Sequence, residues 1–179
     1  MIKITTFYDQ GGKKAYTEGM SFFVQPTAPM SPKTPNVRAV SLLLVALFII
    51  LAVAQLFAYE KFPDILASYW LPGGSAFAHL LAALFVVFEV LAVPFLLSMW
   101  LSPAMRVISM VAGWCVIAGW LYLSLVANFT INAIGNSGVL GAAVKVPVGW
   151  WMLLFFIVFG GLVAWVSWGM WPTARSEKR

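Results

Sequence analysis

Four long apolar runs alternate with short polar interruptions along this chain. Each run is long enough to cross a bilayer, since about 20 residues at a rise of about 1.5 Å cover a hydrocarbon core of roughly 30 Å. The pattern predicts helices over about 39–59, 75–100, 103–126 and 147–171. Glu60-Lys61-Phe62-Pro63-Asp64 stops the first run. The next piece, 65–71, is too short to span and is expected at the membrane interface, held by Tyr69 and Trp70. Pro72-Gly73-Gly74 reads as a turn, with Ser75 as the cap of the second helix. Ser102-Pro103 repeats such a start signal, so the connection before it is very short and dictates a hairpin. A glycine-rich loop over 127–146 separates the third run from the fourth, which Pro147 opens. The expected fold is an all-α membrane protein, a four-transmembrane-helix antiparallel bundle.

Residues 1–38 are polar and punctuated by Pro26, Pro29, Pro32 and Pro35. They read as a flexible tail, with Phe22 and Phe23 able to dip into the interface. They hold no apolar core with a small-residue cleavage site, so the first span is expected to be an uncleaved one. Residues 172–179 form a second short polar tail.

Composition agrees with the pattern. Hydrophobic residues make up 62% of the 179 and charged residues 9%, against about 25% charged in ordinary globular chains. The net charge of +5 does not indicate a nucleic-acid partner, because the basic residues sit in flanks and loops beside apolar runs. Nine of the eleven lysines and arginines fall in the two tails and the second connection, while Lys61 and Lys145 fall in the other two loops. The positive-inside rule then puts both termini in the cytoplasm, N-in/C-in. Tryptophans near the predicted ends (Trp70, Trp100, Trp150, Trp151, Trp168 and Trp171) read as an aromatic belt. The single cysteine, Cys115, rules out an intramolecular disulfide, a CxxC pair or a thiolate zinc cage within one copy.

Polar residues inside the runs are the candidate sites, because a charge at mid-membrane costs at least ~2.5 kcal/mol on insertion scales. Glu89 is the only carboxylate inside a strongly apolar run, and His79 is the only histidine. Counted inward from Ser75, His79 lies about 6 Å down and Glu89 about 21 Å down. Gln55, Tyr122 and Ser124 then share the outer layer with His79, while Glu89 lies deeper. Its expected neighbours are Gly113, Trp114 and Cys115 on the third span and Phe159, Gly160 and Gly161 on the fourth. Pro94 releases the carbonyl of Val90, which a protonated Glu89 is placed to satisfy. Small-residue pairs, Ser109/Gly113 and Gly160/Ala164, allow close helix approach. No metal site is expected, as His79 and Glu89 share neither a helix stripe nor contact distance.

Glu60-Lys61-Phe62-Pro63, the LPGG turn, the FEVLAVPFLL stretch and the GNSGVLG loop together resemble the DoxX/MauE-like family of four-span membrane proteins. The resemblance covers about residues 38–171. It implies a small subunit or maturation factor of a membrane redox assembly in the bacterial cytoplasmic (inner) membrane. It makes a quinone a candidate cofactor, and carries over Glu89 and, more weakly, Lys61 as functional positions. Some MauE-like proteins carry Cys-Gly-Cys-Phe-Gly in the outer loop, where this chain has Ser137-Gly138-Val139-Leu140-Gly141. Thiol–disulfide exchange needs an attacking thiolate, so a disulfide-oxidant role is not expected. The functional expectation is an accessory or small subunit, held against a protein partner or in a homo-oligomer; the sequence carries no thiol pair, triad or metal site and leaves open whether it is itself an enzyme. A purely structural subunit is the second reading and a small transporter or channel the third. The candidate functional residues are Glu89, His79, Gln55 and Lys61.

Overall fold

The computed structural model describes residues 32–129 and 134–170. The expected interface contact of Phe22 and Phe23, and the two tails beyond 32–170, lie outside the described residues. Within them the chain forms α1 (Pro35–Phe57), a 3-10 turn (Tyr59–Lys61), α2 (Phe62–Ala67), α3 (Gly74–Leu96), α4 (Pro103–Phe129) and α5 (Trp150–Met170). No strand forms among the described residues. Helices α1, α3, α4 and α5 are long and apolar enough to cross a membrane, which makes this an integral membrane protein by the length and composition of its helices.

The helix ends differ from the sequence expectation where a local signal was misread. α1 starts four residues earlier because Thr34 caps it, accepting a 3.3 Å hydrogen bond from the Val37 amide, and Pro35 fits the first turn. α3 is entered through Gly73 in the left-handed region (φ +102), so Ser75 lies inside the helix. A Cβ at Gly73 would come within 2.8 Å of the Phe77 side chain, so the turn needs glycine twice over. Pro147 does not open the last helix. α5 begins at Trp150, and the Pro147 carbonyl instead accepts the Trp151 indole N–H at 3.0 Å. The cap at Ser102 holds, its Oγ accepting from the Met105 amide at 3.3 Å.

The long helices meet in a ring: α1 on α3, α3 on α4, α4 on α5, and α5 back on α1. Each presents one buried stripe. On α1 it runs Val37, Ser41, Leu44, Phe48, Leu51, Gln55; on α3, Ala78, Ala82, Phe85, Glu89, Ala92, Leu96; on α5, Met152, Phe156, Phe159, Val163, Val166, Met170. Alternating steps of four and three keep one seam facing inward, as in coiled-coil packing. The opposite faces show carbon to the outside, with Ile50, Val53, Val90, Leu154 and Val158 each exposed. In water this would be untenable; in lipid it is the solvent-facing surface. Small residues let the helices close. A Cβ on Gly113 would meet Ala92 at 3.3 Å, and one on Gly160 would meet Ile117 at 3.1 Å.

Pro94 does not interrupt α3. Its neighbours are held by Ser109 of α4, whose hydroxyl accepts from the Phe95 amide at 3.0 Å and donates to the Leu91 carbonyl. Ser41 of α1 donates to the Leu96 carbonyl at the helix end. Serines from two other helices thus serve the Leu91 and Leu96 carbonyls, whereas the Glu89 carboxyl, expected at the Val90 carbonyl, is held through Oε1 by Gln55.

Between α1 and α3 the chain folds back into the bundle. α2 packs against α3, burying Phe62, Pro63 and Leu66. Tyr69, expected as an interface anchor, is buried, whereas Trp70 is 85% exposed. The end of α1 lies beside the second half of α3. Gln55, two residues from the end of α1, thus meets Glu89.

Candidate functional site at the Gln55–Glu89 seam

Two seam positions carry polar side chains where carbon is the rule. Gln55 sits in the last turn of α1 and Glu89 in the second half of α3, and both are fully buried. The Gln55 Nε2 donates to Glu89 Oε1 at 2.8 Å and to the Val139 carbonyl at 3.3 Å. Val139 therefore fixes which way the amide faces, because its carbonyl demands a donor.

Val139 belongs to the loop over 134–149, which seats on the end of α1. Gly141 (φ +59) makes the seat: a Cβ there would come to 2.8 Å from Gln55 Cα and 2.9 Å from the Ala54 carbonyl oxygen. Behind it, Asn136 Oδ1 accepts from the amides of Gly138 and Val146, each at 3.2 Å. The Ser137 amide donates to the Val146 carbonyl at 2.7 Å. Tyr69 ties this loop to the segment after α2 by donating its hydroxyl to the Ser137 carbonyl at 2.8 Å. Burial desolvates the phenol and pushes its pKa up from the ordinary tyrosine value.

Trp120 of α4 closes the inner side. Its ring stacks between Phe85 (centroids 4.6 Å apart) and Phe156 (5.7 Å). The indole neighbours the Glu89 carboxyl, yet its N–H makes no hydrogen bond of acceptable geometry. Three buried polar atoms in this cluster are thus without partners: Gln55 Oε1, Glu89 Oε2 and Trp120 Nε1.

On the outer side of the seam, a groove of about 310 Å³ runs between α1 and α3. Phe48, Ala52, Val53, Leu56, Val93 and Glu89 are among its walls, and it opens on the lipid-facing surface. Of the cluster, Glu89 alone is among the residues lining this groove.

The other expected positions are placed apart. His79 is exposed and bonds within its own helix, Nδ1 to the Ser75 carbonyl at 2.8 Å. Lys61 is exposed in the 3-10 turn. Tyr122 is 55% exposed, and Ser124 donates to the Trp120 carbonyl at 2.7 Å. The expected outer layer of Gln55, His79, Tyr122 and Ser124 does not form, because α1 and α3 are not flush. Of the expected neighbours of Glu89, Gly113 faces Ala92, Gly160 faces Ile117, and Trp114 and Cys115 are exposed. Sequence reasoning missed Trp120, Val139 and Tyr69 as parts of the site. Trp120 was findable from the stripe Ser109, Gly113, Val116, Trp120, Ala127 on α4. The loop contacts leave no mark in the sequence pattern. Among the described residues, no group of three or more His, Cys, Asp or Glu is placed to hold a metal ion. In comparisons with known proteins, no family model, no curated protein and no solved structure matches the chain.

Proposed function

We propose that this chain is an accessory subunit of a membrane redox assembly, of the DoxX/MauE-like type, acting at Glu89. In this reading the four helices form an antiparallel bundle, with both termini in the cytoplasm of a bacterial cell. The chain works against a protein partner or in a homo-oligomer, and a quinone is the candidate cofactor. The observation that carries the proposal is the Gln55–Glu89 pair, fully buried beside a lipid-facing groove, with one carboxyl oxygen unpartnered. An intramembrane acid is costly and marks function by default. A bundle needing only structure would be served as well by carbon at both positions. The absence of a second cysteine supports an accessory role over thiol catalysis.

The test is isolation of the full chain from its native membranes in a mild detergent, with partner identification and redox difference spectra. A stoichiometric partner carrying a redox group, with quinone-linked turnover lost in Glu89→Gln and the complex retained, is the expected result. A chain that purifies alone from membranes in which the redox activities survive its deletion overturns the proposal.

A further inference from the structure

We propose that a second groove, between α4 and α5, binds an anionic phospholipid, with an acyl chain along the groove and the phosphate held by Lys33 and Arg106 where α5 ends. The site is separate from the Gln55–Glu89 seam, and its test does not depend on the function proposed there.

The tail follows from the walls. The groove measures about 400 Å³, within the range of ligand pockets, roughly 300–1,000 Å³. Met110 and Trp114 of α4 line one side, and Ala164, Ser167 and Trp168 of α5 the other. Ala164 contributes a single methyl, which leaves a hollow that a larger side chain would fill. Ser167 brings the one hydroxyl of this lining, and its oxygen is buried rather than open to an occupant. Trp114 and Trp168 are exposed on the lipid-facing surface, so a chain enters from the bilayer.

The head follows from the charges at the end of the groove. Lys33 is exposed and sits on Trp168, a wall of the groove. Its Nζ donates to the Trp168 carbonyl at 3.0 Å and lies 5.9 Å from the centre of the indole ring. Its amide donates to the Gly169 carbonyl at 3.3 Å, which fixes the backbone against the last turn of α5. An ammonium has three donors, so one bond to a carbonyl leaves it able to serve a phosphate. Arg106 reaches the same turn from α4. It lies one helical turn before Met110 on the same face, and it shares a small cavity with Met170, the last residue of α5, and with Ser98 and Met99. Helical side chains lean toward the N-terminus of their helix. Arg106 therefore leans past Met110 to the membrane surface, where a long basic side chain snorkels. Two cations from different elements thus meet the last turn of α5. The carboxylates among the described residues, Glu60, Asp64 and Glu89, lie past the other end of α1 or at the seam. A phosphatidylcholine head would bring its own ammonium to this cationic end, whereas a phosphatidylglycerol head brings negative charge alone.

The experiment uses the full chain in phosphatidylcholine nanodiscs doped with a phosphatidylglycerol that carries a diazirine in its acyl chain. A phosphatidylcholine with the same acyl chain is the reference, and labelled residues are mapped by mass spectrometry. Label is expected on Met110, Trp114, Ala164 or Trp168, and the phosphatidylglycerol probe should exceed the reference by at least about fivefold, the scale of one basic residue near an anionic surface. Lys33→Gln and Arg106→Gln are each expected to lower that preference and the double variant to erase it. Arg106→Lys keeps the charge and should keep most of the preference, which separates charge from a loss of folding. Ala164→Trp, which fills the groove, should abolish label there from both probes. Equal labelling by the two probes reduces the groove to a lipid-tail crevice and overturns the proposal. A preference that survives the double variant, and is lost when Arg175, Lys178 and Arg179 become glutamine, belongs to the C-terminal tail and overturns it as well. Label confined to α1 and α3 overturns it outright.

Discussion

Glu89 holds one hydrogen bond where an ionised carboxyl has room for about four. Its single donor, Gln55, holds two acceptors, so the pair behaves as a unit. Gln55→Leu leaves Glu89 without its donor and the Val139 carbonyl without one, and is expected to cost about 1–3 kcal/mol. Glu89→Leu removes one acceptor but leaves Gln55 on Val139, and should cost less. The double replacement is expected to fall well short of the sum, because no polar atom of the pair is left stranded. Thermal unfolding of the four proteins in one detergent measures this, and additive losses would show the two side chains to be independent. Trp120 gives a cleaner case. Trp120→Phe keeps an aromatic ring between Phe85 and Phe156 and deletes the orphan N–H. It is expected to leave stability unchanged or slightly raised; a loss above about 1 kcal/mol would mean that the indole donates to Glu89.

Among the elements, the loop over 134–149 and the junction of α1 with α5 each offer a contact that can be tested. Tyr69 is buried with its phenol neutral, and its folded pKa is raised above the unfolded value. Its contribution to stability is therefore complete below the unfolded tyrosine pKa of about 10 and is lost as pH rises beyond it. Unfolding midpoints between neutral pH and the alkaline limit should show this drop in the native chain and a shallower one in Tyr69→Phe. A Cβ on Gly169 would lie 2.7 Å from one methyl of Val37 and 2.8 Å from the other. Gly169→Ala is accordingly expected to destabilise by about 1–3 kcal/mol, and Val37→Ala in the same chain to restore most of it. If the second change adds to the loss, the two helices do not meet there as described. The same scale explains what was legible in the sequence. Apolar runs gave the four long helices, because a bilayer enforces length and composition. The seams were legible too, since Gln55 and Glu89 sit at the same alternating steps of four and three as the carbons around them. Depth counted from helix ends hid their meeting, because the end of α1 lies beside the second half of α3. What places α2 and the loop is packing of Phe62, Leu66 and Tyr69 and a close seat at Gly141, which no local pattern announces.

For the whole molecule, lipid and charge set different things. The exposed carbon of all four long helices requires a bilayer but does not say which end faces which side. The proposed N-in/C-in orientation rests on charge: nine of eleven lysines and arginines lie in the tails or in the first turns of α1 (Arg38) and α4 (Arg106), and Lys61 and Lys145 lie in the other loops. The bias is large and the connections are short, the regime in which the rule governs orientation. Reporter fusions after Gly138 and after Ser176 should therefore read outside and cytoplasmic respectively. The same side for both would leave an odd number of crossings unaccounted for and remove one of the four spans. Opposite sides in the reversed sense would keep the bundle and overturn only the orientation, placing the Tyr69–Ser137 contact on the cytoplasmic side. Moving charge then checks the cause. Replacing Lys61 and Lys145 by glutamine should leave the topology unchanged, whereas adding several lysines to the 134–149 loop should produce a reversed population. Failure of those added charges to reverse any molecules would mean that the packing of α2 and the loop, rather than the flanking charge, fixes the orientation.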